Sequence, residues 1–486
     1  MLVVILIFPV FVKSQESMGL IGGNYAGIQA ARINPSLING QKVYFNAQLI
    51  SNTAFFQNNF AYLPHEDVNL WGLIFGSDTL PIYGTKHNNY RYYDNEQLKN
   101  GLLIANVYGP SAMISTKNSS FGFHIAARSY NSATDIPYEF PVFATEYQGY
   151  APLHHIIFVD KNFQVANLAW SEVGLTYATK ILDQYDHRID FGITLNALFG
   201  VSGSFLKVYN INYEVIDGNT VDINHLDLDA GFALPVDYNT NEFTFDPSRI
   251  KGKGLGADIG FTYSRMKSNW RSENTRRLCE NKYNDYYWRL GISLLDFGSV
   301  RFNKKAELHQ GRNIDIYWNR VDTLNFENIN QLVHDASEIF LGDPKASFTA
   351  DNFLISLPAA LSMQFDFHYL DNLYLNAIIV QPLAISEFSV RRQATITFTP
   401  RYESANVEFG VPMSLYKNSN PRLGAYIGFG YFTIGTERLG VLLGMNNIDG
   451  LDLYFSLKFG FLKGKCYRNP DTGACFNTDN HVNKRY

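Results

Sequence analysis

Charge is scarce in this chain: Asp, Glu, Lys and Arg make up 17% of its 486 residues, where soluble domains average about 25%. The formal net charge of −5 supplies no basic footprint for nucleic acid, and no acidic tail is present. Beyond the N-terminus there is no uninterrupted apolar run of about 18 residues, which excludes a helical membrane span. Cysteine is nearly absent, with three in all. Cys466 and Cys475 bracket the turn-rich "YRNPDTGA" and form a candidate disulfide in an oxidising compartment, leaving Cys279 over. Their spacing and the lack of a fourth ligand argue against a zinc site.

Aromatic residues, by contrast, are abundant: 31 Tyr and 37 Phe bring the aromatic share to 15%. Residues 1–14 read as an export signal, with an apolar run from Leu2 to Val12 and small residues at Val12 and Ser14, although a basic leading region is missing. An exported chain without a helical span enters a membrane only as a closed sheet, because every backbone group must find its partner within the protein.

Alternation supports that reading. "LDLYFSLKFGF" puts Leu451, Leu453, Phe455, Leu457, Phe459 and Phe461 on one side and Asp452, Tyr454, Ser456, Lys458 and Gly460 on the other. "IDFGITLNALFG" from Ile189, "ISLPAALSMQFDFHY" from Ile355 and "VEFGVPMSLY" from Val407 repeat the pattern, as do segments near Val43, Phe121, Val173, Gly256, Trp288, Asn372, Ala394 and Leu423. With weaker candidates at 104–115 and 205–213, about fourteen strands are expected. Many hold their phase for about nine to thirteen residues, longer than most soluble strands and long enough for a tilted membrane strand. The short turns "KNSS", "LDQYDH" and "YKNSN" contrast with long connections at 52–102 and 131–170. Tyr369, Tyr374, Tyr402, Tyr416, Tyr431 and Phe461 sit near segment ends, where aromatic girdles belong.

The expected fold is therefore all-β: a single transmembrane antiparallel β-barrel of about 14 strands over residues 42–461. A plug-like segment at 15–41 precedes it and a tail at 462–486 follows. A partly helical insert at 301–353 carries "NINQLVHDASEIFL", apolar at helical spacing. Counted from a periplasmic N-terminus, fourteen strands put this insert in the periplasm and 131–170 outside. Asp190, Glu408, Asp452 and Lys458 lie on polar phases and are expected to face a wet lumen of mixed sign.

No catalytic constellation stands out, and no enzyme activity, cofactor or metal is expected. "DINHLDLD" from Asp222 crowds acidic groups but fits no calcium-binding loop and reads as solvated loop; "GKGLG" from Gly252 reads as turn glycines. Asn34, Pro35 and Ser36 form a turn of another kind. The proline fixes its own φ and pushes Asn34 to an extended conformation, which either seats a plug on the lumen wall or launches the first strand.

Two sets of residues carry a resemblance. "NYAGIQAARINPSLIN" resembles the Asn-Pro-Ala-type segment at the N-terminus of the fatty-acid transporter (FadL-like) superfamily of barrels, with Ser36 in place of the alanine. "GKGLGADIGFTYS", "LPAALSMQFDF" and "GLDLYFSLKFGF" resemble a large group of outer-membrane barrels of Bacteroidota, neighbours of the PorP/SprF-like proteins associated with type IX secretion. The resemblance implies an outer-membrane location, a plugged lumen, and contact with outer-membrane lipid and a periplasmic or secretion-system protein. Transport of a hydrophobic or small solute, or a scaffold role in the envelope, is the expected function. An accessory role in type IX secretion or gliding is one alternative and a soluble secreted β-sandwich binding protein another.

Overall fold

The computed structural model describes residues 21–461 apart from 69, 77–90, 94, 117, 147–149, 243–249, 268–284, 322–326 and 418–419. The segment read as an export signal and the cysteines Cys279, Cys466 and Cys475 lie outside the described residues. Twenty strands in chain order form one antiparallel sheet. They are β1 (Phe45–Asn58), β2 (Lys99–Ser115), β3 (Ser119–Ile136), β4 (Ile157–Gln184), β5 (His187–Asp217), β6 (Thr220–Ala233) and β7 (Gly252–Met266). Next come β8 (Tyr286–Phe302), β9 (Glu307–Trp318), β10 (Phe348–Ala350), β11 (Phe353–Ser356), β12 (Ala360–Leu370), β13 (Leu373–Pro382) and β14 (Thr395–Glu403). The last are β15 (Val407–Gly410), β16 (Met413–Tyr416), β17 (Asn420–Leu423), β18 (Ala425–Phe429), β19 (Phe432–Thr436) and β20 (Gly450–Phe461).

β6, β9 and β10 pair outside the wall, and three pairs of short strands, β11/β12, β15/β16 and β17/β18, each make one interrupted stave, so the closed wall has 14 staves. It closes where β1 meets β20, with Phe45 opposite Phe461. Short hairpins gather at the end of the wall that holds Phe45 and Phe461, their turns taking positive φ at Tyr185, Asp371 and Gly430. The alternation resolves as expected for lipid outside. Outward side chains such as Leu255, Phe261, Ile292, Phe365, Phe398, Ile427 and Phe429 are exposed, Leu255 by 76% and Phe429 by 74%. Inward neighbours such as Thr262, Ser293, Gln364 and Thr397 are buried. An apolar belt of this extent on a closed barrel excludes the soluble β-sandwich. No described helix is long and apolar enough to cross a membrane.

The expected total of about fourteen is met, but through two errors that cancel. Residues 189–197 and 205–213 belong to one strand, β5, 31 residues long, whereas the segment from Leu423 contains the hairpin between β18 and β19. With β5 counted once, the insert at 301–353 stands at the same end as the 137–156 connection and opposite Phe45 and Phe461. The insert and the 131–170 connection, expected on opposite sides of the membrane, therefore share one side. The turn after Tyr416 also lies at that loop end. Tyr374 and Tyr416 are buried at 1% and 0% exposure, not girdle residues, because their hydroxyls bond to lumen groups: Lys42 at 2.9 Å and Glu437 at 3.2 Å.

The length of β5 builds a second unit. Its first half, His187 to Gly200, pairs with β7 in the wall. Its second half, Gly203 to Asp217, pairs with β6, which pairs in turn with β9. At about 3.3 Å per residue this half climbs some 50 Å beyond the rim. Helices α1 (Glu139–Glu146) and α2 (Ile329–Leu341) lie at the same end, and Phe143, Phe158, Phe163, Val208, Ile211, Tyr213, Ile223 and Ile314 form a core shared among helix and strands. "DINHLDLD" is part of β6 rather than a solvated loop, and no metal-holding group of acids and histidines occurs among the described residues.

Where β5 changes partner, Gly200 and Gly203 leave the space that the Phe302 ring occupies; a methyl at either would strike it. Phe302 is fully buried against Phe353. Phe302→Ala should leave a void at this fork and cost about 3–5 kcal/mol, seen as an earlier transition in urea with the barrel still heat-modifiable on gels.

Candidate functional site

The lumen is filled from both ends by the protein's own chain. From the hairpin end, residues 21–42 enter and form two helical turns, Gly27–Arg32 and Pro35–Gly40, whose side chains are largely buried. Asn34 is the pivot. Its extended backbone starts the second turn and its Oδ1 accepts hydrogen bonds from Ser36 N at 3.0 Å and Ser36 Oγ at 2.6 Å. Its Nδ2 donates to Phe261 O at 3.1 Å on β7 and to Gln364 Oε1 at 2.9 Å on β12. Ser36 Oγ lies 2.5 Å from Thr262 Oγ1. Pro35 and Ser36 rest directly on Gly192, and Asn34 on Gly260 and Gly291, at three glycines where any side chain would collide with the segment. Three neighbouring staves thus give up their inward side chains to seat the plug, one reason for small residues at these wall positions.

The sequence-selected lumen residues distribute around this seat. Asp190 accepts from Asn39 Nδ2 at 2.6 Å and from Arg188 at 2.7 and 2.9 Å, tying the plug to β5. Lys458 donates to Tyr25 O at 3.0 Å and lies 3.5 Å from Glu408, joining plug, β20 and β15. Asp452 is fully buried on the inner face of β20. The structure thus brings Asn34, Pro35, Ser36, Asp190, Glu408 and Lys458 to one plug–wall contact.

Two charge clusters escape a reading by motif. Near the start of the plug, Arg401 donates to Asp366 at 2.8 Å through both terminal nitrogens and to Glu403 at 2.6 Å. Glu403 accepts in turn from the Asn24 amide and side chain, each at 2.9 Å. Further in, Arg128 forks onto Asp296 at 2.7 Å and reaches Glu172 at 3.4 Å. Arg392 also pairs with Asp296. The available signal was phase: each of the strand members stands at an inward position of an alternating strand.

Arg392 belongs to the second filling. The β13–β14 connection, residues 383–394, folds down into the lumen from the loop end. Phe388 stacks on Phe205 with centroids 4.0 Å apart, Gln164 Nε2 donates to Ser389 O at 3.2 Å, and Arg391 N donates to Ser132 Oγ at 3.2 Å. Around it Phe55, Leu102, Ile104, Tyr130, Leu168 and Trp170 make an apolar upper lumen. No periodicity marks this loop, so alternation could not reveal it. Between the two fillings remains a cavity of about 40 Å³ lined by Arg32, Gln48, Ser111, Arg128, Asn196 and Asp258 among others.

Residues 35–437, spanning most of the wall and its plug contact, match the family described as "Family of unknown function (DUF5723)". The chain belongs to that family. This DUF5723 barrel is also similar to the Ralstonia pickettii toluene transporter TbuX, at 9% identity and TM-score 0.40 over 94% of this chain and 100% of that one. The P. putida toluene transporter TodX is similar at 8% identity and TM-score 0.40, over 90% and 95%. A Pseudomonas aeruginosa FadL homologue is similar at 8% identity and TM-score 0.24, over 93% and 99%. No curated protein sequence matches. In the DUF5723 barrel, then, a doubly filled lumen lies beneath a folded platform at the loop end.

That platform has its own titrating group. Glu139, at the start of α1, is 1% exposed and accepts from Tyr213 OH at 3.2 Å. Burial pushes its carboxyl up to about 7, with Asp160 adding to the rise. A carboxyl raised on folding favours the folded state when protonated, so its contribution is fully present below the ordinary value near 4.5 and is lost as pH rises through 7. The helix should therefore protect its amides from hydrogen exchange better at pH 5 than at pH 8. Glu139→Gln should flatten that difference.

Proposed function

We propose that the protein is a non-enzymatic outer-membrane barrel that is closed at rest and serves as a membrane anchor for its loop-end platform in the cell envelope. The observation that carries this is the double filling, between whose two parts lies a cavity of about 40 Å³, room for only a few waters at ~10–15 Å³ each. Behind Asn34, Pro35 and Ser36 the plug lies directly against the glycines of the wall. The partner of the platform is a surface or secretion-system protein. A role beside type IX secretion or gliding is the sharper form of this reading, and it rests on the PorP/SprF-like resemblance. Purified protein in planar bilayers should show no steady conductance, and cross-linking in cells from residues 307–318 should capture an envelope protein. Steady ion flow through the wild-type barrel would overturn the closed state.

A second reading, gated passage of a hydrophobic or small solute, is favoured by the seam of the wall. β1 and β20 are in register from Phe45–Phe461 to Ile50–Leu457, with a shift between Gln48 and Ile50. Above that, they are held where Asn58 N donates to Asp449 O at 3.0 Å, and no registered pair lies between among the described residues. Asn52 Oδ1 and Thr53 Oγ1, buried on this stretch of β1, have no hydrogen-bond partner. If solute leaves sideways here, a cross-link between β1 and β20 above Ile50 abolishes uptake into proteoliposomes; unchanged uptake rejects the seam as a route.

A further inference from the structure

Among the described residues, the cavity between the two lumen fillings joins an arginine with no carboxylate partner to a carboxyl with no cation partner. Arg32, from the plug, stacks on Tyr108 with its guanidinium carbon 3.9 Å from the ring centre, and neither terminal nitrogen has a hydrogen-bond partner. Asp258, on the inner face of β7, accepts from Asp296 N at 2.6 Å and Asn196 Nδ2 at 3.2 Å but has no cation within ion-pair distance among the described residues. Both line the same space. Unpaired charges inside a protein are costly, and evolution ordinarily pairs or removes them.

Among the neutral groups of the lining, the side-chain oxygens of Gln29, Gln48, Ser111 and Asn196 are buried and without a hydrogen-bond partner. Ser111 Oγ, on β2 in the wall next to Arg32's partner Tyr108, is buried and unpartnered; it can donate. Asn196 Oδ1, on β5 beside Asp258, is also buried and unpartnered, and can only accept. Arg32 and Ser111 thus offer donors to a negative group, and Asp258 and Asn196 offer acceptors to a positive one. The remaining lining charges, Arg128, Arg392, Glu172 and Asp296, are already engaged with one another.

We propose that this cavity binds a small zwitterion, with its carboxylate on Arg32 and Ser111 and its ammonium on Asp258 and Asn196. The volume, about 40 Å³, corresponds to roughly three waters and limits the ligand to the size of the smallest amino acids. The ligand would bridge the plug to three staves of the wall, β2, β5 and β7, and so add to the closure. This goes beyond the anchor reading and does not depend on it: binding is measured on the isolated barrel, and conductance separately in bilayers.

The test is calorimetry and saturation-transfer NMR on the full chain in detergent, with glycine, formate and methylammonium as probes. Glycine should bind the wild type, and Arg32→Gln and Asp258→Asn should each weaken it about tenfold or more, the usual cost of one charge-assisted contact. Of these two variants, formate binding should weaken only in Arg32→Gln and methylammonium binding only in Asp258→Asn. Heat-modifiable migration reports whether each variant is folded. Where one is not, the wild type still decides, since glycine but not the bulkier glycine betaine should raise its melting temperature. Absence of glycine binding to the wild type at tens of millimolar, or binding unchanged in both folded variants, would overturn the proposal and leave a cavity filled by water alone.

Discussion

Gly192→Val should turn a silent barrel into a conducting one. The position has no room for a side chain because the backbone of Pro35 and Ser36 occupies it, and backbone cannot rotate aside as a flexible side chain would. Overpacking of this kind costs about 1–3 kcal/mol. Here it acts at the contact where Asn34, Ser36 and Thr262 bond the plug to the wall. The wall should survive, because the altered residue faces the lumen and the ladder of β5 with β4 and β7 uses backbone groups only. The measurement pairs single-channel recording with heat-modifiable migration. A folded Gly192→Val barrel that stays electrically silent would mean that the 383–394 filling alone seals the lumen.

Arg401→Met should destabilise the wall and the start of the plug together. Arg401 is fully buried and holds Asp366 through two hydrogen bonds at 2.8 Å and Glu403 through a third at 2.6 Å. Removing one partner of such a set leaves the carboxylates buried with less compensation, an effect of about 3–5 kcal/mol. Arg289 keeps its contact with Asp366 at 3.1 Å, and Lys42 remains 3.9 Å from Glu403, so the set is weakened and not abolished. Because Glu403 also binds Asn24, the start of the plug should loosen together with the wall. Urea unfolding followed by tryptophan fluorescence, with protease access to residues 21–42, would show both. Restoring stability with Arg401→Met combined with Asp366→Asn and Glu403→Gln would confirm that charge, and not lost packing, sets the cost.

Alternation made the wall legible, and its failures have particular causes. β5 looked like two strands because "GVSGS" places Gly200 and Gly203 inside it, and strand glycines resemble a turn. They are there for the Phe302 ring at the fork. β18 and β19 looked like one strand because the turn at Gly430–Tyr431 is two residues long and keeps Ile427, Phe429 and Tyr431 in phase. The Asn34–Ser36 turn was visible as chemistry, since a proline and a capping asparagine act locally. What they bind, Gly192, Gly260, Thr262 and Gln364, is set by closure of the sheet and cannot be read from neighbours in sequence. The 383–394 filling is the limiting case: an aperiodic loop whose Phe388 and Arg392 find partners only in the assembled lumen.

The uninterrupted course of β5 has a mechanical consequence. The same strand carries Gly192, on which the plug rests, and Tyr213, in the core of the platform, with hydrogen bonds to β4 running along nearly its whole length. An extended chain laddered on both sides is stiff along its axis. Force applied to the platform therefore loads the plug seat directly, with no soft joint between them to absorb the strain.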